Sequence, residues 1–99
     1  MRIEISPYAR IDLRSIWLHI AEHNSTAASR LLRQIETRFE MFSRQPFIGE
    51  PCFHLGDDMR CHSVRNYVVY YRPTAEAIRI LRVLHGARDI TQIPFPDSE

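Results

Sequence analysis

Ile80-Leu81-Arg82-Val83-Leu84-His85-Gly86-Ala87-Arg88-Asp89 is the stretch that decides the fold. Ile, Leu and Val crowd its first half, as in a buried strand, and Gly86 marks a turn that carries His85, Arg88 and Asp89. Arg82 interrupts the apolar run. A guanidinium there is costly unless it is paired or used, and Asp89 is expected to pair with Arg82 or Arg88 and steady the turn. Alternation places Ile78, Ile80, Arg82 and Leu84 on one face of this strand, with Arg79, Leu81, Val83 and His85 on the other. Both faces are apolar enough to need cover.

Upstream, Met59 to Val64 alternates and Tyr67 to Arg72 is rich in Val and Tyr, so both read as strands. The links, Arg65-Asn66 and Pro73-Thr74-Ala75-Glu76, are short enough to make the three strands an antiparallel meander. Residues 46–58 contain Pro46, Gly49, Pro51 and Gly56 and read as a loop. Before it, Ala28, Leu31, Ile35, Phe39 and Phe42 form one helical stripe, begun at Asn24 or Ser25 and ended by Pro46. An earlier helix starts with Ser6 as its cap and Pro7 in its first turn. Its stripe is Ala9, Leu13, Ile16, Trp17 and Ile20, and it stops near His23-Asn24. Arg2 to Ile5 is a short strand.

The order β-α-α-β-β-β predicts a single α+β domain over residues 1–99, a two-helix hairpin packed on one face of a small antiparallel sheet. The helices cover one side of the final strand. The other side is expected to await another polypeptide; the loop at 46–58, or a tail carrying Ile90, Ile93 and Phe95, is the alternative cover.

Net charge is only +1, against a strong direct nucleic-acid binder. All 13 basic residues are Arg, the side chain suited to planar bidentate pairing. Between Met59 and Arg88 six Arg face a single acid, Glu76, which favours an acidic partner. No run has the length of a membrane span, Met1 to Ile5 lacks the apolar core of a secretory signal, and two cysteines make no disulfide framework. A cytoplasmic chain with no membrane association is expected.

Cys52, His54, Cys61 and His62 are metal-ligand types, but their spacing matches no usual zinc pattern, and Cys61 and His62 as strand neighbours point to opposite sides. Free cysteines are the expected state, with no metal and no cofactor. His54, His62, His85, Tyr67, Tyr70 and Tyr71 with Arg60, Arg65 and Arg88 supply the residue types of acid–base nuclease chemistry. No spacing enforces a catalytic pair, and no catalytic residue is assigned.

Taken together, these residues resemble the ParE/RelE toxin superfamily of bacterial type II toxin–antitoxin modules. The likeness rests on Ser6 to Ile16 in the form S-x-x-A-x-x-D-L-x-x-I, with Ala9, Asp12 and Leu13, and on Pro46-x-x-Gly49. Arg60, the strand Tyr67 to Tyr71 and the ending Arg82 to Asp89 complete it. The resemblance implies a small α+β toxin, of the kind linked to plasmid stabilisation, silenced by a cognate ParD-like antitoxin with a ribbon-helix-helix start. ParE-like members inhibit DNA gyrase by protein–protein contact, whereas RelE-like members cut ribosome-bound messenger RNA. This chain has no Lys, no Tyr beyond Tyr71 and no Arg within Tyr67 to Tyr71, departures that favour the gyrase-directed branch. A ribosome-dependent endonuclease and a non-toxic partner-binding relative are the alternatives. Arg60, Arg65, Tyr67, Arg82, His85, Arg88 and Asp89 are the expected partner- or target-binding residues.

Overall fold

The computed structural model describes residues 1–96. Strand β1 (Arg2–Ile5) leads into helices α1 (Pro7–Ala21) and α2 (Ser25–Arg44), followed by β2 (Glu50–Pro51), β3 (Arg60–Val64), β4 (Tyr67–Pro73) and β5 (Ala77–His85). The α+β order and the helical hairpin are those expected. The sheet runs β1-β5-β4-β3-β2. β1 lies parallel to β5, with Arg2 opposite Ala77 and Ile5 opposite Ile80, so the antiparallel meander belongs to a mixed sheet. The loop expected over 46–58 contributes a two-residue edge strand, β2, and a 3₁₀ turn at Phe53–Leu55.

Each helix begins as its cap dictates. The Ser6 hydroxyl accepts from the Ala9 amide at 3.0 Å and donates to the Leu81 carbonyl at 2.8 Å, so the cap also docks α1 on β5. Asn24, not Ser25, caps α2, accepting from the Ala27 amide at 3.0 Å. The α2 stripe is buried as expected, with Ile35 and Phe42 fully enclosed. Burial of such a side chain contributes about 1.5–3 kcal/mol. Phe42 stacks on Tyr71 with ring centroids 4.0 Å apart. The α1 stripe differs in two places: Asp12 is buried within it, and Trp17 stays 37% exposed with its indole N–H near the Ser29 hydroxyl.

Two expectations about β5 are overturned. Pairing slips between Tyr70 and Tyr71, with Tyr70 opposite Arg82 and Tyr71 opposite Ile80. Leu81 is thus an extra residue on β5, a β-bulge, and the alternation changes phase there. Ile78, Ile80 and Val83 join the helix-side core, whereas Leu81 and Leu84 join a second cluster on the opposite side. That opposite side is not left open for another chain. Cys52, Leu55 and Met59 from one segment and Ile90, Ile93 and Phe95 from the other pack over Tyr70, Leu81 and Leu84. Phe95 sets its ring edge-on to Tyr70 at 5.3 Å. The apolar residues dispersed through those two segments give the chain enough material to seal its own second face.

Candidate functional site

Arg82 is buried, and its partner is Asp12, not Asp89. The Asp12 carboxylate receives Arg82 Nε and Nη2, both at 2.8 Å, and the Val83 amide at 3.0 Å. β1 pairs with β5 only as far as Ile80, so Ser6 and Asp12 complete the hydrogen bonding of that edge beyond it. Arg82 Nη1 also donates to the Pro94 carbonyl at 2.6 Å, and the guanidinium lies 5.2 Å from the Tyr8 ring centre. The Asp12 hydrogen bonds hold the Arg82 pKa above its ordinary value. Arg82 is therefore a clamp joining α1, β5 and the C-terminal segment.

Asp89 is committed elsewhere. Its carboxylate accepts from the Thr91 amide at 3.0 Å and hydroxyl at 2.7 Å, capping the 3₁₀ turn Ile90–Gln92. Those bonds lower its pKa. Arg60 is also engaged internally, donating from Nη1 to the carbonyls of Gly49 at 2.6 Å and Phe47 at 3.2 Å, with its guanidinium 4.9 Å from the Phe47 ring centre. Arg60, Arg82 and Asp89 are thus each hydrogen-bonded within the chain rather than to one another, and Arg88 is exposed beyond the Gly86 turn.

Arg65, Tyr67 and His85 do come together. Tyr67 and His85 are cross-strand partners whose rings meet edge-to-face at 5.3 Å. His85 Nδ1 accepts from the Ala87 amide at 3.1 Å, which puts the proton of the neutral ring on Nε2. Arg65 sits in the β3–β4 turn and donates from Nε to Gln34 Oε1 of α2 at 3.2 Å. With His19 and Arg30 they line a groove of about 430 Å³ between the helical hairpin and that turn. His19, Arg30 and Gln34 are helix residues that sequence reasoning had not placed at any site. Asp12 is not named from sequence as the partner of Arg82; the signal that points to it is its place three residues after Ala9 and four before Ile16, inside the buried stripe.

Cys52 and Cys61 are free thiols with sulfurs 3.0 Å apart. Burial, reinforced by Cys52, pushes the Cys61 pKa up to about 12. His62 turns to the helix side, where its Nε2 takes a hydrogen bond from Arg38 Nη1 at 2.9 Å and its ring meets Phe42 edge-on at 5.5 Å. Among the described residues no three His, Cys, Asp or Glu side chains gather around one point, and no helix is long and apolar enough to cross a membrane.

Against known proteins, residues 3–90 match the family described as the ParE toxin of the type II toxin–antitoxin system parDE. The chain is 32% identical over 80 residues to toxin ParE3 of Caulobacter vibrioides, covering 80% of each protein. It is 29% identical over 82 residues to toxin ParE1 of the same organism, covering 82% of this chain and 84% of that one. Among solved structures, a chain of the chromosomal ParDE system from P. aeruginosa superposes with a TM-score of 0.73 at 18% identity, over 86% of this chain and 95% of that chain. A chain of the RelBE2 toxin–antitoxin complex from Mycobacterium tuberculosis gives 0.62 at 24% identity, over 85% and 95%. These two likenesses establish the shared fold. The match over nearly the whole length of its sheet and helices makes this chain a member of the ParE toxin family of type II toxin–antitoxin systems.

Proposed function

We propose that this ParE-family toxin inhibits DNA gyrase by protein–protein contact and is silenced by a cognate ParD-like antitoxin of the ribbon-helix-helix type. Family membership carries the reading. One surface feature supports the antitoxin. With the second face of the sheet sealed internally, the remaining apolar surface includes Tyr8, Ile11 and Leu18, exposed by 42%, 63% and 51%. Ile11 and Leu18, seven residues apart, share the outer face of α1, with Tyr8 at its edge beside Arg82, and apolar side chains grouped in this way mark a partner surface. Of the residues expected to contact a partner or target, Arg65, His85, Arg88 and Asp89 are exposed and Arg60 and Tyr67 partly so, whereas Arg82 is buried. The near-neutral charge agrees with a protein target.

A second reading, ribosome-dependent cleavage of messenger RNA, is favoured by one observation, the convergence of Arg65, Tyr67 and His85 on a single groove. Purified protein separates the two. Blocked supercoiling with accumulation of cleaved plasmid is the outcome expected for a gyrase inhibitor. Cutting of ribosome-bound message with supercoiling intact would replace it with the nuclease, and inactivity in both assays with a non-toxic partner-binding relative.

A further inference from the structure

The groove between the helical hairpin and the β3–β4 turn has a lining that includes His19, Arg30, Arg65 and His85 and no carboxylate. The backbone at Arg65 is the informative part. Its φ is +57°, the only positive value at a non-glycine residue among the described residues. β3 and β4 are joined by Arg65 and Asn66 alone, with Val64 paired to Tyr67. A positive φ at the first of two turn residues but not at the second is the pattern of a type II′ hairpin, whose first position favours glycine. A side chain kept in a strained conformation points to a use for that side chain.

The use is visible in the hydrogen bonding. Gln34 on α2 takes Arg65 Nε and so braces the guanidinium across the groove. Its two terminal nitrogens have no protein acceptor among the described residues. Arg30, on the opposite wall, makes no ion pair among the described residues. His85 offers Nε2–H because Nδ1 is occupied by the Ala87 amide. Tyr67 is half-buried and adds an aromatic wall.

We infer that this groove binds the phosphate group of a nucleotide or nucleic-acid strand, with Arg30 and Arg65 holding the anion and Tyr67 offering a ring face to an adjoining base. Several donors converging on one concavity match a compact group with three or four acceptor oxygens. The carboxylates of an acidic peptide are spaced along a chain and would use such a cavity one at a time. The net charge of +1 limits non-specific attraction but not a local site of this kind. The inference goes beyond gyrase and antitoxin binding: a chain that inhibits gyrase yet ignores phosphate loses this site and keeps the proposed function.

The test is titration of the isotope-labelled full chain, followed by amide NMR, with pyrophosphate, AMP, a 5′-phosphorylated tetranucleotide and hexaglutamate. Shifts confined to residues around the groove are expected with the phosphate compounds. Arg30→Ala should weaken pyrophosphate binding about ten-fold, and Arg44→Ala, at the far end of α2, should leave it unchanged. Arg65→Gly is the sharper variant. It relieves the positive φ, so it should keep or raise the melting temperature while weakening binding about ten-fold. AMP binding above the tetranucleotide would mark a free nucleotide as the source, and the reverse a strand. Hexaglutamate binding as tightly as pyrophosphate would overturn the phosphate assignment in favour of an acidic peptide. The site itself is overturned by an Arg65→Gly chain that binds like the parent, or by no groove shifts at about 10 mM pyrophosphate.

Discussion

Asp12 and Arg82, seventy positions apart in the chain, meet as a two-pronged ion pair with both nitrogen–oxygen distances at 2.8 Å. Both side chains are about nine-tenths buried. Removal of one partner leaves an uncompensated buried charge, at a cost of about 3–5 kcal/mol. Asp12→Ala also strands the Val83 amide. For a domain of this size each kcal/mol shifts the melting temperature by about 4–8 °C, so thermal unfolding of Asp12→Ala should begin at least about 12 °C lower. Asp12→Asn, which keeps an acceptor for Val83, should lose less. A loss below about 1 kcal/mol in both variants would show that the pair is not what joins α1 to β5.

Tyr71 and Gly49 form a second buried junction. The Tyr71 hydroxyl donates to the Pro46 carbonyl at 2.8 Å and accepts from the Gly49 amide at 2.9 Å. A methyl group at Gly49 would lie 2.7 Å from that oxygen and 2.9 Å from the Cys61 carbonyl. Gly49→Ala should therefore destabilise by about 1–3 kcal/mol through overpacking. Tyr71→Phe should cost about 1–3 kcal/mol, because the Gly49 amide is left buried without an acceptor. Urea denaturation of the two variants checks both values, and a neutral Gly49→Ala would mean that the loop after α2 moves aside freely.

Much of this architecture was legible because periodicity reports burial. The stripes of α2, the meander and the Ser6 cap follow directly from residue spacing, and Pro46 ends its helix as proline must. The bulge at Leu81 was not legible, because neither glycine nor proline marks it and the phase change arises from pairing with β4. The segments that seal the second face, the 46–58 loop and the tail with Ile90, Ile93 and Phe95, could be named from sequence, but not their preference over a partner chain, since Cys52, Leu55, Met59, Ile93 and Phe95 are too scattered to show a period. For the candidate site, Arg65, Tyr67 and His85 could be named from sequence, but the helix residues Arg30 and Gln34 join them only through the packing of α2 on the sheet. Arg82 stands out in the sequence as a buried charge that needs a partner, but the turn residue Asp89 lies nearer to it in the chain than Asp12, and only the packing of α1 on β5 selects Asp12.

Acid sensitivity should trace in part to His62. Burial, then the neighbouring Arg38 guanidinium, lowers its pKa below the ordinary 6.5, partly opposed by Glu50. The unfolded chain therefore binds this proton first, so the contribution is full above about pH 6.5 and declines as pH falls through that value towards the folded-state pKa. The midpoint of urea unfolding should be lower at pH 5 than at pH 8. His62→Gln, which keeps a polar group near Arg38, should flatten that difference. An unchanged slope would assign the sensitivity to other groups.

The Cys61 thiol should be inert in the native chain. With its pKa near 12 rather than the ordinary 9.0, almost none of it is thiolate at pH 8. Alkylation by iodoacetamide at pH 8 should be about a hundred-fold slower, or more, than in urea. The same shift makes its contribution to stability full below pH 9 and progressively lost as pH rises towards about 12. Native-state alkylation at the unfolded rate would contradict the packing of the partly buried Cys61 thiol against Cys52.

The outer face of α1 offers the most direct test of antitoxin binding. Ile11 and Leu18 are exposed and contribute little to the core, so Ile11→Glu and Leu18→Glu should alter stability by no more than about 0.5 kcal/mol. If the antitoxin docks on this face, a carboxylate in the apolar contact should weaken the complex about ten-fold or more. Calorimetric titration of each variant with the proposed ParD-like antitoxin would measure this. Because the Asp12–Arg82 clamp lies on the buried side of the same helix, a large loss of affinity at unchanged melting temperature could not be ascribed to a loosened α1. Full affinity in both variants would move the antitoxin contact elsewhere and leave the exposed stripe without a role in neutralisation.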